Sequence, residues 1–377
     1  MLDSIHLAKW INRFDTSLVE FTIFPSKKFK KLHPYLSSNL NEGQVLHFSR
    51  HAKYLSYKYV GYYDFFLHEI LGKFIPIFSR KESLKRLLKS PFDFMHAHEL
   101  QGAGYLCSDL SSETTAEFML SIWGSDLTYF ADLEGHREKV SSALLRADSI
   151  SAECIRDYRI AKKLGFIGLE LPIIPVSASF NFSDRDNTLV PMIDRNLILV
   201  KTYGKPFGRG DLAIDAIESF LTDNADPEVF FYSVGPDLVE RVRSLALKFS
   251  GRVNFSLARA PILQQDLYSY FRRARLYVGV SESDGISTSF LEAIAFGAYP
   301  IQTNTSCANE WEAIGVSCSL INVATSSIME AMSENYYDLD KLQQSQNINF
   351  MIAKSKLDNV QISSIAQNFY FRNSSST

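Results

Sequence analysis

Hydrophobic and polar positions along the second half of the chain predict strands separated by amphipathic helices. Short runs rich in β-branched and aromatic residues are typical of strands, and the stretches between them place apolar residues three and four positions apart, as helices packed on a sheet do. This alternation predicts βαβ units and a parallel sheet. The predicted strands are 197–201, 228–234, 252–256, 275–280 and 299–303, and the predicted helices are 208–224, 236–249 and 262–274.

The first half of the chain carries a weaker version of the same pattern. Residues 92–98 and 116–126 are typical of strands that enter loops, and each is followed by a helical stretch. A second α/β domain therefore fits the N-terminal half. Residues 181–196 are polar and turn-rich, which predicts an interdomain linker. The predicted organisation is an N-terminal domain at 1–180, the linker, a C-terminal domain at 197–355, and a final segment at 356–377 that ends in a frayed tail, FRNSSST.

Composition is consistent with a soluble, two-domain globular enzyme. The 377 residues exceed what one core usually serves, and 46% hydrophobic with 21% charged residues argues against disorder. The four cysteines show neither metal-ligand spacing nor disulfide density, so we expect no zinc and a reducing compartment. No apolar run reaches the ~20 residues that span a bilayer, and the N-terminus lacks a signal-peptide core. We therefore expect a cytoplasmic protein.

Charge is spread unevenly along the chain. Residues 21–95 hold 13 Lys and Arg against 5 Asp and Glu, so they carry +8 and the rest of the chain carries −11. This asymmetry indicates an anionic acceptor or a peripheral contact with the inner membrane at the N-terminal part, with a merely solvated basic face as the alternative. Nucleic acid is the less favoured partner. The interleaved aromatic and basic residues are Tyr54, Tyr57, Tyr62, Phe65 and Phe66 with Arg50, Lys53, Lys58, Lys85 and Arg86.

A polar loop followed by a helix occupies residues 281–301, SESDGISTSFLEAIAFGAYPI, with the helix predicted to begin near Ser287. Backbone N–H groups at a helix start, with the positive end of the helix dipole, bind phosphate without a side-chain charge. Gly285 lets a ligand approach the backbone closely. Asp284 in the loop and Glu292 in the second helical turn can face one crevice at the carboxyl end of the strand. Carboxylates in that position suit sugar hydroxyls.

A second anion site is predicted upstream. The segment LILVKTYGKPFGRGDLAI at 197–214 again predicts a strand, a glycine-containing loop and a helix. Lys201, Lys205 and Arg209 cluster in it, and these cations suit a diphosphate. A basic loop taken alone is more often only solvated, but its combination with the 284–292 segment favours an anion site.

The sequence from Asp284 to Glu292 resembles the donor-binding motif of glycosyltransferase family 4, in which two acidic residues are separated by seven positions. This chain has Asp rather than Glu at the first position. The resemblance implies that Asp284 contacts the donor sugar and that Glu292 holds the ribose. It also implies that the backbone between them contacts the sugar and the diphosphate, at Gly285, Ile286, Ser287, Thr288 and Ser289.

The resemblance extends to the upstream basic loop. Family members grip the donor diphosphate with one basic residue at the end of this strand and another at the start of the next helix. Lys201 and Arg209 match these positions best. The loop between them differs from the commonest family form, so Lys205 is an alternative to Lys201.

Two segments of the first half, 92–106 and 119–130, resemble the family strands that face the cleft. Trp123 stands where many members have a histidine that contacts the donor sugar, and we expect Trp123 not to take that role. Asp126, His98 and Glu99 are therefore the catalytic candidates for aligning donor or acceptor. A structural role is the alternative for each of them.

Over residues 4 to about 350, the resemblance implies the GT-B fold, an α/β architecture of two facing Rossmann-like domains with a cleft between them. The helix predicted at 4–14 resembles the first helix of such enzymes, which normally follows a buried strand. Only Met-Leu-Asp precedes it here, so we expect the first strand of the N-terminal domain to be missing. A late chain start and a real loss of this part of the cleft both remain open.

The function implied is sugar transfer from a nucleotide-sugar donor to a saccharide or lipid-linked saccharide acceptor, with retention of anomeric configuration. No metal or other cofactor is expected, because cations and a helix start offset the charge of the leaving diphosphate. The acid-x-acid pattern at Asp184–Asp186 lies in the polar linker and is interpreted as a turn. By association, we expect a role in bacterial surface polysaccharide synthesis, such as capsule or lipopolysaccharide O-antigen.

Two other functions remain open from the sequence. One is a sugar-nucleotide epimerase on the same fold, and the other is a non-catalytic subunit that binds a nucleotide sugar. A dinucleotide-dependent oxidoreductase is disfavoured, because neither half has the glycine-rich fingerprint directly after a first strand.

Overall fold

The computed structural model describes residues 5–14, 19–29, 64–176, 178–182, 189–260 and 262–371. The chain forms two compact units, one of Met1–Ser177 with Ile362–Thr377 and one of Ala178–Gln361. Each unit contains a parallel β-sheet with helices around it. The predicted α/β class with two parallel-sheet domains is therefore confirmed.

The first unit is built on four parallel strands whose order in the sheet follows their order in the chain. The strands are β1 (Phe94–Ala97), β2 (Glu117–Ser121), β3 (Ser149–Ser151) and β4 (Leu169–Glu170). The helices before and between them are α1 (Ile5–Ile11), α2 (Gly72–Phe74), α3 (Arg80–Leu87), α4 (Tyr105–Leu110), α5 (Arg137–Arg146) and α6 (Ile155–Lys163). Short π-helical turns at Phe65–Leu71 and Leu100–Gly104 precede α2 and α4.

The second unit is built on six parallel strands in the order β10-β9-β8-β5-β6-β7. The strands are β5 (Leu197–Lys201), β6 (Glu228–Val234), β7 (Val253–Leu257), β8 (Ala274–Gly279), β9 (Tyr299–Thr303) and β10 (Ser319–Ile321). The helices are α7 (Gly210–Asp223), α8 (Val239–Lys248), α9 (Gln264–Arg273), α10 (Thr288–Phe296), α11 (Ala308–Glu312), α12 (Thr325–Asn335) and α13 (Leu339–Leu357).

In the central strands of this sheet, the side chains of successive residues pack into hydrophobic cores on opposite faces of the sheet. Ile198 and Val200 of β5 belong to one hydrophobic cluster, whereas Leu197 and Leu199 belong to the other. Helices cover both faces, so every residue of β8 and β9 is buried. The same double burial explains why β5 appears in the sequence as the continuous apolar run Leu-Ile-Leu-Val rather than as an alternating pattern.

The predicted elements of the second half are confirmed with small shifts of their ends. The strand predicted at 252–256 runs from Val253 to Leu257, and the one predicted at 275–280 runs from Ala274 to Gly279. Three described residues of the predicted linker, Phe182, Met192 and Arg195, are buried in the second unit. Met192 packs in one of its cores, and the guanidinium of Arg195 donates hydrogen bonds to main-chain carbonyls of Val190, Ala274 and Phe296.

The end of the chain packs in the core of the first unit. Helix α14 (Asn359–Gln367) leads to Phe369, which is fully buried against Trp10 with 5.3 Å between ring centroids. The hydroxyl of Tyr370 lies 3.0 Å from Trp10 Nε1 and 2.6 Å from His96 Nδ1. His96 Nε2 lies 2.8 Å from the hydroxyl of Ser121 on β2, so a chain of hydrogen bonds crosses this core.

Several features predicted from sequence lie outside the described residues. These are the Asp184–Asp186 turn, residues 372–377 of the tail, and the aromatic and basic residues between 50 and 62. Among the helices that are described, none combines the length and the apolar character needed to cross a membrane.

Candidate functional site

The sheet of the second unit changes direction between β5 and β8. From β5 the chain proceeds outward through β6 and β7, and it then returns to the other side of β5 to build β8, β9 and β10. The helices that follow two such strands pack on opposite faces of the sheet, and open parallel sheets bind ligands at the carboxyl ends of the strands at this point. The loop after Lys201 and the loop at 280–287 both begin at this point.

Main-chain hydrogen bonds join these two loops to each other. Gly208 and Ser281 form an isolated antiparallel bridge, the N–H of Arg209 donates to Val280, and the N–H of Glu282 donates to Phe207. A Cβ atom at Gly208 would lie 2.2 Å from the main-chain oxygen of Tyr203, so only glycine fits here. The two segments singled out in the sequence therefore form one structural element.

Hydroxyl groups at the ends of β8 and β9 anchor the second loop. Thr303 is fully buried, and its Oγ1 accepts a hydrogen bond of 2.9 Å from the N–H of Ser281. The hydroxyl of Thr305 donates to the carbonyl oxygen of Ser281 over 2.6 Å. Both main-chain groups of Ser281 are thus held, which fixes where the loop leaves the sheet.

Helix α10 begins at Thr288 with Ser287 at its N-cap, as predicted. Backbone N–H groups in the first turn of a helix lack a carbonyl partner within the helix, so they are available to an anion. Ile286, Ser287 and Ser289 are buried around this turn. The polar helix start is therefore partly desolvated, which strengthens its interaction with a negative charge.

Two carboxylates flank the start of α10. Oδ1 of Asp284 accepts a hydrogen bond of 2.9 Å from the N–H of Gly285. Glu292 lies one turn inside the helix, is 3% exposed, and accepts a hydrogen bond of 3.1 Å from Nε2 of Gln264 on α9. A buried carboxylate needs such partners, and it can accept hydrogen bonds from the hydroxyls of a bound ligand.

Lys201 brings a positive charge to the same place. Burial by itself would lower the pKa of Lys201, but the electrostatic influence of Tyr203, Tyr277, Asp284 and Glu292 outweighs it and raises the pKa. The ammonium group lies 4.7 Å from the centre of the Tyr203 ring. Lys201 is therefore charged at neutral pH and interacts electrostatically with both acidic residues of the downstream motif.

Arg209 lies at the N-cap of α7 and is bound by two carboxylates. Its guanidinium forms hydrogen bonds with Asp211 and with Glu282, the closest of each being 2.9 Å. These bonds, first to Asp211 and then to Glu282, raise the pKa of Arg209. Lys205, the alternative cation, is exposed in the loop between Lys201 and Arg209.

The candidate residues of the first unit lie at the carboxyl ends of β1 and β2. His98 is partly buried, stacks on His96 with ring centroids 3.9 Å apart, and has its pKa lowered to about 3 by burial, so it is neutral at pH 7. Its Nδ1 and the Nε1 of Trp123 are buried and make no hydrogen bond within the described part of the chain. Glu99 pairs with Lys27 over 3.0 Å.

Asp126 joins the two loops of this region. Its Oδ2 accepts hydrogen bonds of 3.0 Å from the N–H groups of Leu100 and Trp123. Burial raises the pKa of Asp126 to about 7, although these hydrogen bonds oppose the rise. The carboxyl group therefore holds the loops that carry His98 and Trp123 in position.

No known protein family matches the chain by sequence, and no curated protein is significantly similar to it. Solved structures are similar in fold. Sucrose-phosphate synthase from Thermosynechococcus elongatus superposes with a TM-score of 0.61 at 14% identity, over 82% of this chain and 80% of that one. HepE of Anabaena, solved with UDP-glucose, gives 0.62 at 14% identity, over 79% and 83%.

The pneumococcal O-GlcNAc transferase GtfA, solved with UDP and GlcNAc, gives a TM-score of 0.60 at 13% identity, over 78% of this chain and 60% of that chain. These similar proteins are GT-B glycosyltransferases. The chain has the GT-B fold. The fold implied by the resemblance of the 284–292 segment to the family 4 donor motif is thereby confirmed.

Asp211, Glu282 and Gln264 contact the predicted residues of the second unit but were not themselves predicted from the sequence. Asp211 lies two positions from Arg209, and Glu282 lies two positions from Asp284. Their negative charge so close to predicted residues could have indicated in the sequence that they belong to the site. Gln264 carried no such signal, because it reaches Glu292 from a different helix, 28 positions away in the sequence.

Proposed function

We propose that this protein is a glycosyltransferase that transfers a sugar from a nucleotide-sugar donor to a saccharide or lipid-linked saccharide acceptor. One observation carries the proposal. The two segments that resemble the family 4 donor site leave adjacent strands at the point where the sheet changes direction, and main-chain hydrogen bonds join them. In parallel α/β sheets, this is the position at which ligands bind.

Each part of this site has a role in the proposed reaction. Lys201 and Arg209 would bind the diphosphate, with Lys205 as the alternative to Lys201, and the start of α10 would bind it through backbone N–H groups. Asp284 would contact the donor sugar, and Glu292 would accept hydrogen bonds from the ribose. The negative charge that develops on the leaving diphosphate would thus be stabilised by these two cations and by the dipole of α10.

We further propose that transfer proceeds with retention and without a metal or other cofactor. The resemblance to family 4 supports retention, and a similar solved structure, a trehalose-6-phosphate synthase, was determined in a study of glycosyltransfer with retention. The cations and the helix start supply the positive charge that a metal would otherwise bring to a leaving diphosphate.

His98, Glu99 and Asp126 remain the proposed catalytic residues on the first unit. A neutral His98, whose Nδ1 has no hydrogen-bond partner among the described residues, can exchange a hydrogen bond with a substrate hydroxyl. Glu99 is the more exposed carboxylate, although Lys27 neutralises it. Asp126 contributes mainly by positioning, because its Oδ2 accepts hydrogen bonds from main-chain N–H groups of the loops around His98.

A peripheral membrane contact is proposed for the segment between residues 65 and 77. Phe74 is 81% exposed there, and basic residues such as Lys73 and Lys81 lie in or just after the segment. Exposed apolar groups beside lysines favour an anionic lipid surface. The exposed large apolar residues of the segment are Phe65, Phe66, Ile70, Phe74, Ile75 and Ile77. A lipid-linked acceptor of a bacterial surface polysaccharide would be presented at such a surface.

Vesicle sedimentation tests the membrane contact. The protein should sediment with vesicles that contain anionic phospholipid, and Phe74→Ser with Ile77→Ser should reduce the bound fraction. Ile167→Ser is the matched control, since Ile167 is 83% exposed elsewhere on the same unit. Equal binding by the double variant and the control would rule out this segment as the contact.

The central test is a thermal-shift screen with nucleotide sugars, starting with UDP-glucose because it is the ligand of HepE. A bound ligand raises the melting temperature by mass action. We expect a shift with one donor class, and we expect Glu292→Ala and Arg209→Ala each to abolish it. A folded wild-type protein that no nucleotide sugar stabilises would contradict the proposed donor site. Product analysis without acceptor then separates transfer from epimerisation, because only an epimerase forms the epimerised sugar from the donor alone.

A further inference from the structure

The guanidinium of Arg209 is held differently along its two sides. Nε and one terminal nitrogen donate to the two oxygens of Asp211 over 2.9 and 3.0 Å, which is a bidentate pair. The other terminal nitrogen donates to a single oxygen of Glu282 over 2.9 Å. The Asp211 side chain is 29% exposed and the Glu282 side chain is 44% exposed. Asp211 therefore provides the firmer contact and Glu282 the more readily displaced one.

The backbone of Glu282 cannot easily move away from this cation. Its N–H donates to the carbonyl of Phe207 over 2.8 Å, and its neighbour Ser281 is bound to Thr303. An anion that binds this terminal nitrogen of Arg209, at its second N–H or in place of the Glu282 side chain, has the carboxylate of Glu282 within side-chain reach. Because its backbone is held, Glu282 keeps a negative charge near the position proposed for the diphosphate.

We infer that Glu282 is a specificity-determining residue that disfavours the free nucleoside diphosphate relative to the nucleotide sugar. The inference rests on the proposed function, because it takes Arg209 to be a diphosphate ligand. Glu282 competes for the guanidinium and repels whichever phosphate replaces it. The repulsion grows with the charge of the ligand, so it acts more strongly on the product of transfer than on the donor.

The difference in charge comes from the terminal phosphate. In a nucleotide sugar this phosphate is a diester and carries one negative charge. When the sugar has left, the terminal phosphate has a second ionisation with a pKa of about 6, so at pH 8 it carries one more negative charge. A carboxylate next to the diphosphate site therefore weakens product binding and favours product release.

Calorimetric titration at pH 8 and low salt tests this inference with UDP and UDP-glucose, or with the matching pair if the donor screen selects another nucleotide. For Glu282→Gln, we expect the dissociation constant of the diphosphate to fall by about two- to five-fold, the range of an exposed ion pair. The dissociation constant of the nucleotide sugar should fall less. The ratio of the diphosphate constant to the nucleotide-sugar constant should therefore decrease. High salt should reduce this difference, because it screens the carboxylate.

Two further variants control the measurement. Glu334→Gln makes the same charge change at an exposed position in the last turn of α12, and it should leave the ratio unchanged. Glu282→Asp keeps the charge and should give a ratio close to that of the wild type. A folded Glu282→Gln protein with a wild-type ratio would overturn the inference. If the wild type binds neither member of any pair, the proposed function itself fails.

Discussion

Replacing Thr303 by valine tests whether the hydroxyl groups at the end of β9 hold the loop of the candidate site. Valine keeps the shape of threonine but accepts no hydrogen bond. Thr303 is fully buried and Ser281 is 1% exposed, so the N–H of Ser281 would lose its partner at 2.9 Å without access to water. An unpaired buried donor costs about 1–3 kcal/mol. The methyl group of valine that replaces the hydroxyl is buried, and its burial stabilises the folded state by up to about 0.8 kcal/mol.

The net loss in free energy of unfolding is therefore about 1–2 kcal/mol. In a domain of the size of the second unit, each kcal/mol lowers the melting temperature by about 2–4 °C. Calorimetric melting of the full chain should show a drop of roughly 2–8 °C in the transition of that unit. Affinity for a nucleotide sugar should fall as well, because Ser281 fixes the loop that carries Asp284.

Thr222→Val is the matched control for this prediction. Thr222 makes a hydroxyl bond to the main chain of its own helix, but it is exposed, so its replacement should change stability by less than about 0.5 kcal/mol. If Thr303→Val melts at the same temperature as Thr222→Val, the hydroxyl groups of β9 do not hold the loop as argued.

Three further predictions follow from buried polar contacts. Gln264→Leu removes the 3.1 Å hydrogen bond to Glu292 and should weaken nucleotide binding by roughly 1 kcal/mol in a titration, whereas Leu at the exposed neighbour Gln265 should not. Arg195→Met removes three hydrogen bonds to main-chain carbonyls, although Val190 still accepts one from Gln346, and it should lower the free energy of unfolding in urea by about 3 kcal/mol; a much smaller loss would mean that the bonds are dispensable. Asp126 has its pKa raised from 3.8 to about 7, so the folded chain retains a proton that the unfolded chain releases. The stabilisation from the retained proton is complete below pH 3.8 and is lost as the pH rises to about 7, so the wild type should lose stability relative to Asp126→Asn between these two pH values. If the free energies of unfolding of the two proteins, measured in urea, change equally with pH over this range, the prediction is wrong.

The sequence predicted the second unit well because its sheet is covered on both faces. Strands such as β5 and β6 contain apolar and aromatic runs, and the intervening helices have regular apolar spacing, so both are recognisable from neighbouring residues alone. The start of α10 was predicted correctly for a similar local reason. Its small polar loop and the following apolar run mark a helix N-terminus. The ligand roles of Asp284, Glu292 and Arg209 stay predictions.

Contacts between distant residues were not predictable from these patterns. Arg195 lies in a polar stretch that is typical of a linker, yet it is buried, because its guanidinium reaches carbonyls up to 101 positions away. The hydrogen bond between His96 and Tyr370 spans 274 positions. Periodicity indicates which face of an element is apolar, but it does not identify the partner that covers the face. The membrane contact of the N-terminal part also stays a prediction.

The packing of Phe369 and Tyr370 around Trp10 has a consequence for the order in which the chain folds during synthesis. All of the second unit, Ala178–Gln361, is translated before these two aromatic residues, so the unit that begins first cannot complete its core until after the other unit has been made. Domains usually fold from the N-terminus onward as they leave the ribosome. Here the aromatic core of the first unit would stay incomplete while the whole second unit is synthesised. Such an intermediate exposes apolar surface, so we expect a chaperone to bind it during synthesis.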